Sequence, residues 1–289
     1  MAVTAAAVKE LRDKTGLPMM DCKKALTACD GVQEAAITWL RERGAEVFEK
    51  RAGRTTDFGR FGQYLGMDKT ACAMVELKCE SAPVTTNEDF IKFADDLAQV
   101  LAENPDITDT ESLLSQAAPD QDGLTLSDVK EEMFNRIREV FNIGRMIRIE
   151  GSCGGYVHNA GTISGVLISV EGGDEESARD ICMHIAAMRP AALSPDELPN
   201  EEVDKERQFL RDAAIAEGKP ENIVDKMVEG RLRNYFAERT LTEQAFVKDD
   251  KQTVGEFAVS KGMTLKQFIR WELGDDTEAG DSEGEADAE

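Results

Sequence analysis

Residues 71–93 read ACAMVELKCESAPVTTNEDFIKF, and the rest of the chain is organised around them. Ala71, Ala73, Val75 and Leu77 alternate with Cys72, Met74, Glu76 and Lys78, the period of a strand with a more buried and a less buried face. Pro83 has no amide hydrogen for a sheet ladder and biases Ala82 away from helical geometry, so the strand should stop near Glu80. Thr86 stands three residues before Asp89 in a capping-box-like arrangement, and Phe90, Phe93, Leu97 and Leu101 follow at helical spacing. The pattern predicts an exposed turn, Ser81-Ala82-Pro83-Val84, held between a strand and a helix and well placed to meet a partner.

Upstream, residues 61–65 form a second strand-like run, joined to 71–79 by the turn Gly66-Met67-Asp68-Lys69. The same pattern returns later as Gly154-Gly155-Tyr156-Val157-His158, the turn Asn159-Ala160-Gly161 and a strand over 162–170. Each hairpin precedes a helix, the second carrying Ala178, Ile181, Cys182, Ile185 and Met188. Two pseudo-repeated β-hairpin-plus-helix units therefore predict an α+β core, with a strand order that the pattern leaves open. Residues 104–124 are rich in Pro, Asp, Thr and Ser and read as irregular with at most a short helix; Ser127 is placed to cap the helix after them.

Before the core, Thr4 is placed to cap a helix that ends near Gly16, Asp21 to cap a second over 22–28, and Val32, Ala35, Ala36, Trp39 and Leu40 form the apolar face of a third, ending at Gly44. Residues 46–54 read as a charged linker helix. Leu17, Met19 and Met20, between the first two helices, are either core or a soft, adaptable contact surface. Past Pro199, residues 201–216 and 221–237 read as an antiparallel helical hairpin with narrow stripes at Val203, Leu210 and Ala213, and at Ile223, Met227 and Leu232. Residues 241–247, 253–260 and 268–273 supply the remaining apolar pieces and a last core strand. The expected organisation is a three-helix module at 1–45, a core N-subdomain at 46–150, a core C-subdomain at 151–274 with its helical hairpin at about 201–237, and a disordered acidic tail at 275–289 that carries eight acids and no bases.

Composition narrows the function. Among 289 residues, 57 acidic against 34 basic side chains give a net charge of −23, which disfavours direct binding to nucleic acid or an anionic membrane. No apolar run approaches the ~20 residues of a membrane span, and the N-terminus lacks the apolar region of a signal peptide, so a cytoplasmic protein is expected. Six cysteines without a C-x-x-C pair fit reduced thiols rather than a disulfide framework or zinc site. Phosphate-binding, dinucleotide-binding, zinc-protease and serine-nucleophile motifs are all missing. Of the two histidines, His184 lies mid-helix among apolar neighbours, while His158 sits at a hairpin tip. A transferase using His158 with Cys153 lacks any orienting group, so a binding protein with no cofactor is expected rather than an enzyme.

The stretch Val8-Lys9-Glu10-Leu11-Arg12-Asp13-Lys14-Thr15-Gly16, followed by Met19-Met20-Asp21-Cys22-Lys23-Lys24-Ala25-Leu26, resembles the N-terminal signature of the bacterial elongation factor Ts family. The resemblance continues in order through Lys78-Cys79-Glu80, Asn87-Glu88-Asp89-Phe90, His184-Ile185-Ala186, Gly218-Lys219-Pro220, Lys226-Met227-Val228-Glu229-Gly230-Arg231 and Thr253-Val254-Gly255. It implies a UBA-like N-terminal bundle and a factor that binds elongation factor Tu·GDP and promotes GDP release. It further implies that Arg12, Met19 and Met20 contact a helix of the partner's nucleotide-binding domain, that His158 faces the same partner, and that the helical hairpin is the family's protruding coiled coil. Ser81, Ala82, Pro83 and Val84 match the loop that disturbs the partner's magnesium site. There the family pattern is Thr-Asp-Phe-Val, so this chain lacks the Asp-Phe wedge; Thr56-Asp57-Phe58 aligns with the linker instead. The alternative is a UBA-like interaction protein with no GTPase partner.

Overall fold

Side-chain caps punctuate the chain: Thr4, Asn87, Thr125, Asp174 and Thr253 each accept a hydrogen bond from a first-turn amide and start a helix. The computed structural model describes residues 3–51, 53–218 and 220–275; Lys219 and the acidic tail after Asp275 lie outside the described residues. The described elements are α1 (Ala5–Thr15), α2 (Met19–Ala28), α3 (Gln33–Glu49), β1 (Phe58–Tyr64), β2 (Ala71–Cys79), α4 (Glu88–Glu103), α5 (Thr110–Leu114), α6 (Leu126–Ile137), β3 (Phe141–Glu150), β4 (Cys153–His158), β5 (Ser164–Gly172), α7 (Glu175–Met188), α8 (Asn200–Ala216), α9 (Glu221–Arg239), β6 (Ala245–Phe246), β7 (Asp249–Thr253), α10 (Val254–Ser260) and β8 (Met263–Glu272). The fold is α+β. Its contacts separate into two compact units, one holding the chain up to Tyr64 with Ala73–Arg148, the other Leu65–Cys72 with the chain from Ile149.

In the first unit the sheet order is β1-β2-β3, with Phe58 opposite Cys79 and Tyr64 opposite Ala73 in the antiparallel β1–β2 pair. Helix α4 lies on this sheet and buries Phe90, Phe93, Ala94, Leu97 and Leu101. Gly62 makes that approach possible, because a Cβ there would sit 2.0 Å from the Ala94 carbonyl oxygen. The expected two-faced strand is corrected: β2 is buried on both faces except at Lys78. Glu76 is fully buried, its carboxylate held by Arg145 at 3.0 and 3.1 Å. A charge can sit in a central strand because its partner comes with the neighbouring strand.

The N-terminal helices bury Val8, Leu11, Leu17, Cys22, Ala25, Leu26, Ala36 and Leu40. Helix α3 does not stop at Gly44. It runs on to Glu49 and absorbs the start of the expected linker helix, since Gly44 serves packing: a Cβ there would meet the Asn135 side chain of α6 at 2.0 Å. Three caps also differ from expectation. Helix α2 begins at Met19 after Pro18, with Asp21 inside its first turn; Asn87 caps α4 in place of Thr86; and Thr125, in a capping box with Asp128, replaces Ser127. At α4 and α6 a polar residue within two positions takes the first-turn amides instead, while α2 follows Pro18 without a side-chain cap.

The second unit repeats the first. Its sheet order is β4-β5-β8, again with the second hairpin strand in the middle, and Cys153 faces Ser169 while His158 faces Ser164. Helix α7 packs Ala178, Ile181, Cys182 and Ile185 against Val166, Ile168 and Val170. Here Gly154 gives the clearance, a Cβ there falling 2.5 Å from the Ala178 methyl. The last strand, β8, pairs with β5 from Ser164–Glu272 to Gly172–Met263. Helices α8 and α9 form a hairpin whose buried seam is Ala214, Val224, Val228 and Leu232, with Leu210 and Phe236 against it. Leu210 and Leu232 lie on this seam as expected, while Ala213, Ile223 and Met227 are each one residue off, because Ala213-Ala214, Ile223-Val224 and Met227-Val228 offer two adjacent apolar choices.

Candidate partner-binding surface

Strand β2 ends at Cys79, and the residues after it are held from both sides. The Glu80 carboxylate accepts from Arg54 Nη1 and from the Val140 amide, each at 2.8 Å. Burial pushes this carboxyl upward, but the Arg54 bond and the Val140 amide together outweigh it and keep Glu80 below its ordinary range. The Ser81 amide donates to Glu139 Oε2 at 3.0 Å and its hydroxyl to Glu139 Oε1. Burial first, and the Glu139 charge second, push the Cys79 thiol up to about 12, so it stays protonated and donates to the Ser81 carbonyl.

Residues Ala82–Thr86 then form a 3₁₀ turn with Pro83 in its first positions. Thr85 Oγ1 donates to the Ala82 carbonyl at 2.8 Å and Thr86 Oγ1 to the Pro83 carbonyl at 2.9 Å. Val84 is buried in the core of the first unit, while Ala82 and Pro83 are exposed. The turn is a stiff apolar knuckle with its root in the core.

The first loop of the chain presents a second element. Gly16, left-handed at φ 67°, closes α1, and Leu17 drops into the helical core at 7% exposure. Met19 and Met20 open α2 and stand 51% and 62% exposed. Of the two readings left open by the sequence, the core one holds for Leu17 and the surface one for the methionine pair. Arg12 is exposed beside Asp13.

Residues 136–139 link these two elements, and nothing in the hydrophobic pattern marks them. Arg136 lies against Gly16 and pairs with Asp89 at 3.0 Å. Arg138, left-handed at φ 65° at the end of α6, pairs with Asp21 at 3.0 Å. Glu139 holds Ser81, as described above. One short segment thus ties the start of α2, the start of α4 and the Ala82–Thr86 turn together. The signal that could have found it is the charged run Arg136, Arg138, Glu139 across the end of α6, together with Asp21 and Asp89 at the starts of two other helices.

His158 belongs to the second unit, at the end of β4, where its Nδ1 lies 3.0 Å from the Tyr156 hydroxyl. It lines a cleft of about 420 Å³ with Tyr156, Met183, Ala186, Val247 and Lys248. The exposed Val247 is positioned by buried His184, whose Nδ1 accepts the Val247 amide at 3.2 Å while Nε2 lies 2.8 Å from Gln244 Oε1. Nδ1 as acceptor makes this a neutral imidazole protonated on Nε2. Burial lowers the His184 pKa, with the Gln244 bond acting in the opposite direction. Cys153 sits five residues away at the far end of β4, about 16 Å by strand rise, so no His158–Cys153 catalytic pair exists. Among the described residues no cluster of three or more His, Cys, Asp or Glu could hold a metal ion, and no helix is long and apolar enough to cross a membrane.

A family profile described as Elongation factor TS matches residues 80–275. The chain is 42% identical over 281 residues to the Elongation factor Ts of Methylococcus capsulatus, covering 96% of this chain and 94% of that protein. It is 40% identical over 280 residues to the Elongation factor Ts of Thioalkalivibrio sulfidiphilus, with the same coverage of 96% and 94%. Identity to the Elongation factor Ts of Levilactobacillus brevis is 39% over 281 residues, 96% of this chain and 93% of that protein.

Proposed function

This chain belongs to the elongation factor Ts family and is a translation elongation factor, and from that premise we propose that it binds elongation factor Tu·GDP and drives out GDP. The observation that carries this reading is the Arg136–Glu139 clasp, which pre-positions two exposed apolar elements, Met19-Met20 and Ala82-Pro83, on one framework. An exchange factor carries out no covalent chemistry and needs no nucleotide pocket. It must bind the nucleotide-free partner more tightly than the GDP-bound one, and by linkage it then weakens GDP by the same factor. Rigidity matters, because a lever that yields spends the binding energy on itself.

In this reading the turn of Ser81, Ala82, Pro83 and Val84 acts on the partner's magnesium and phosphate site through exposed Ala82 and Pro83, with Val84 as its buried root. Ala82-Pro83 pushes a partner helix by packing, in place of the ring and carboxylate of the usual Asp-Phe. Arg12, Met19 and Met20 dock on the partner's nucleotide-binding domain, with the methionine thioethers adapting to its surface. The His158 cleft and the α8–α9 hairpin hold the partner elsewhere. The site of action is the cytoplasm. A pull-down of elongation factor Tu from nucleotide-depleted buffer tests the reading: capture that is lost on adding excess GDP with magnesium supports it, and capture indifferent to GDP contradicts it.

A further inference from the structure

Two thiols outside this surface converge on a single carbonyl. Cys72 Sγ lies 3.4 Å from the Gly151 oxygen and Cys153 Sγ 3.9 Å from the same atom. The backbone brings them there. Gly66 and Cys153 form an antiparallel bridge in which the Cys153 amide donates to the Gly66 carbonyl at 3.4 Å. The Gly151 amide donates to the Thr70 carbonyl at 2.8 Å, and Ser152 Oγ to the Met67 carbonyl at 2.7 Å. Segment Leu65–Cys72 is thereby stitched to the β3–β4 connection by a few bonds, within one compact unit.

We propose that Cys72 and Cys153 form a reversible thiol–disulfide pair, Cys72 being oxidised first by a hydroperoxide and Cys153 resolving it. The environments of the two sulfurs differ in the sense this requires. The neighbouring Cys153 side chain is the main influence that favours the Cys72 thiolate, and against the opposing effect of burial the Gly66 and Cys153 amides and the Lys69 charge join it to bring Cys72 down to about 7. The same proximity to Cys72, followed by burial, pushes Cys153 up, so near neutral pH Cys153 remains a thiol while Cys72 is populated as both thiol and thiolate.

The step balances. The Cys72 thiolate attacks the peroxide, the O–O bond breaks, and a sulfenic acid and hydroxide form. Oxidation removes the negative charge that held the Cys153 proton. Cys153 then passes its proton to hydroxide and attacks the Cys72 sulfur; the S–S bond forms, the S–O bond breaks, and the released hydroxide takes up a proton as water. Two thiols and one hydrogen peroxide give one disulfide and two waters, sulfur being oxidised and peroxide reduced. Both sulfurs are buried, so reagent enters by local opening of Leu65–Cys72.

The test is peroxide treatment of the full chain near neutral pH, alkylation of remaining thiols under denaturing conditions, and peptide mapping by mass spectrometry. The expected product is a Cys72–Cys153 linked peptide, two hydrogens lighter than its parts and separated by dithiothreitol, with Cys22, Cys79 and Cys182 still alkylated. Cys153→Ser should leave Cys72 as a sulfenic acid that dimedone captures. Oxidation confined to Cys29, the one cysteine that is not fully buried, would overturn the proposal, and so would a Cys153–Cys182 link. The decisive map comes from the unsubstituted protein, so it does not depend on whether a variant folds.

Discussion

The two hairpin-plus-helix units are built alike and end differently. In each, a glycine on the first hairpin strand lets the following helix lie on the sheet, Gly62 under Ala94 and Gly154 under Ala178, and in each the second hairpin strand is central. After that strand they part. The second unit turns through Gly172 and Gly173, both left-handed at φ 72° and 78°, where a Cβ would strike the Gly262 carbonyl or Met263. The first unit instead places an apolar 3₁₀ turn there, rooted by Val84 and tied to Glu139. The shared parts are packing. The surface proposed to meet the partner lies where the repeat is broken, and in the second unit the proposed contact, His158, lies at the other end of the hairpin.

A second contrast sits in the central strands and carries the largest expected effect. Strand β2 buries Glu76 against Arg145, while Val166, Leu167 and Ile168 fill the middle of β5. Arg145→Met removes the two-pronged partner of the buried Glu76 carboxylate and leaves it the more distant Lys78 Nζ, at 3.8 Å, so it should lower stability by about 3–5 kcal/mol, whereas pairing it with Glu76→Leu should recover most of the loss. Urea unfolding of the two variants measures both. A double variant as unstable as the single one would mean that the ion pair is not what distinguishes the two sheets.

The glycine devices should differ in cost. Gly62→Ala drives a methyl into the main chain of α4 and should cost about 3 kcal/mol; Gly154→Ala meets chiefly the Ala178 methyl and should cost about 1–2 kcal/mol. Equal losses would show that the two helices yield alike. Similar in size to the loss at Gly154, Glu139→Ala should remove about 1–2 kcal/mol and also slow GDP release from elongation factor Tu, because it frees Ser81. Its counterpart in the second unit is the α7 cap. Asp174→Ala should cost about 1 kcal/mol of stability and leave exchange unchanged.

The least effect is a pH response that belongs to the second unit. His184 titrates below its unfolded value of 6.5, so below that pH the unfolded chain binds the extra proton and the folded chain does not. Its contribution to stability is therefore complete above 6.5 and falls away as pH drops through that value toward the lower folded one. Comparing urea midpoints across this range, His184→Gln should show a shallower fall than the parent protein. Parallel curves would remove His184 from the account.

What the sequence disclosed was local. Alternation in 71–79, helical spacing from Phe90 to Leu101 and the return of the same pattern after residue 153 are set by neighbours in the chain, and they led to the α+β repeat. Glu76 looked like an outward-facing charge because its partner, Arg145, comes from a strand nearly 70 residues away in sequence. Gly44 looked like a helix stop because composition cannot separate a glycine that ends a helix from one that lets another helix approach. The exposed turn and the methionine pair were visible as candidates. The clasp between them was not, because left-handed Arg138 carries no glycine signature and its ion pair with Asp21 spans more than 100 residues.

In the proposed exchange, a stiff apolar turn acts on the partner's nucleotide site in place of an Asp-Phe wedge. Stopped-flow release of a fluorescent GDP from elongation factor Tu, comparing this protein with a variant in which residues 81–84 are replaced by Gly-Ser repeats, tests it most directly. The prediction is a loss of stimulation of about tenfold or more, equivalent to about 1.4 kcal/mol, in a variant that keeps its helical content and stays folded at the assay temperature although it loses the buried Val84 root. Undiminished stimulation by the variant would contradict it.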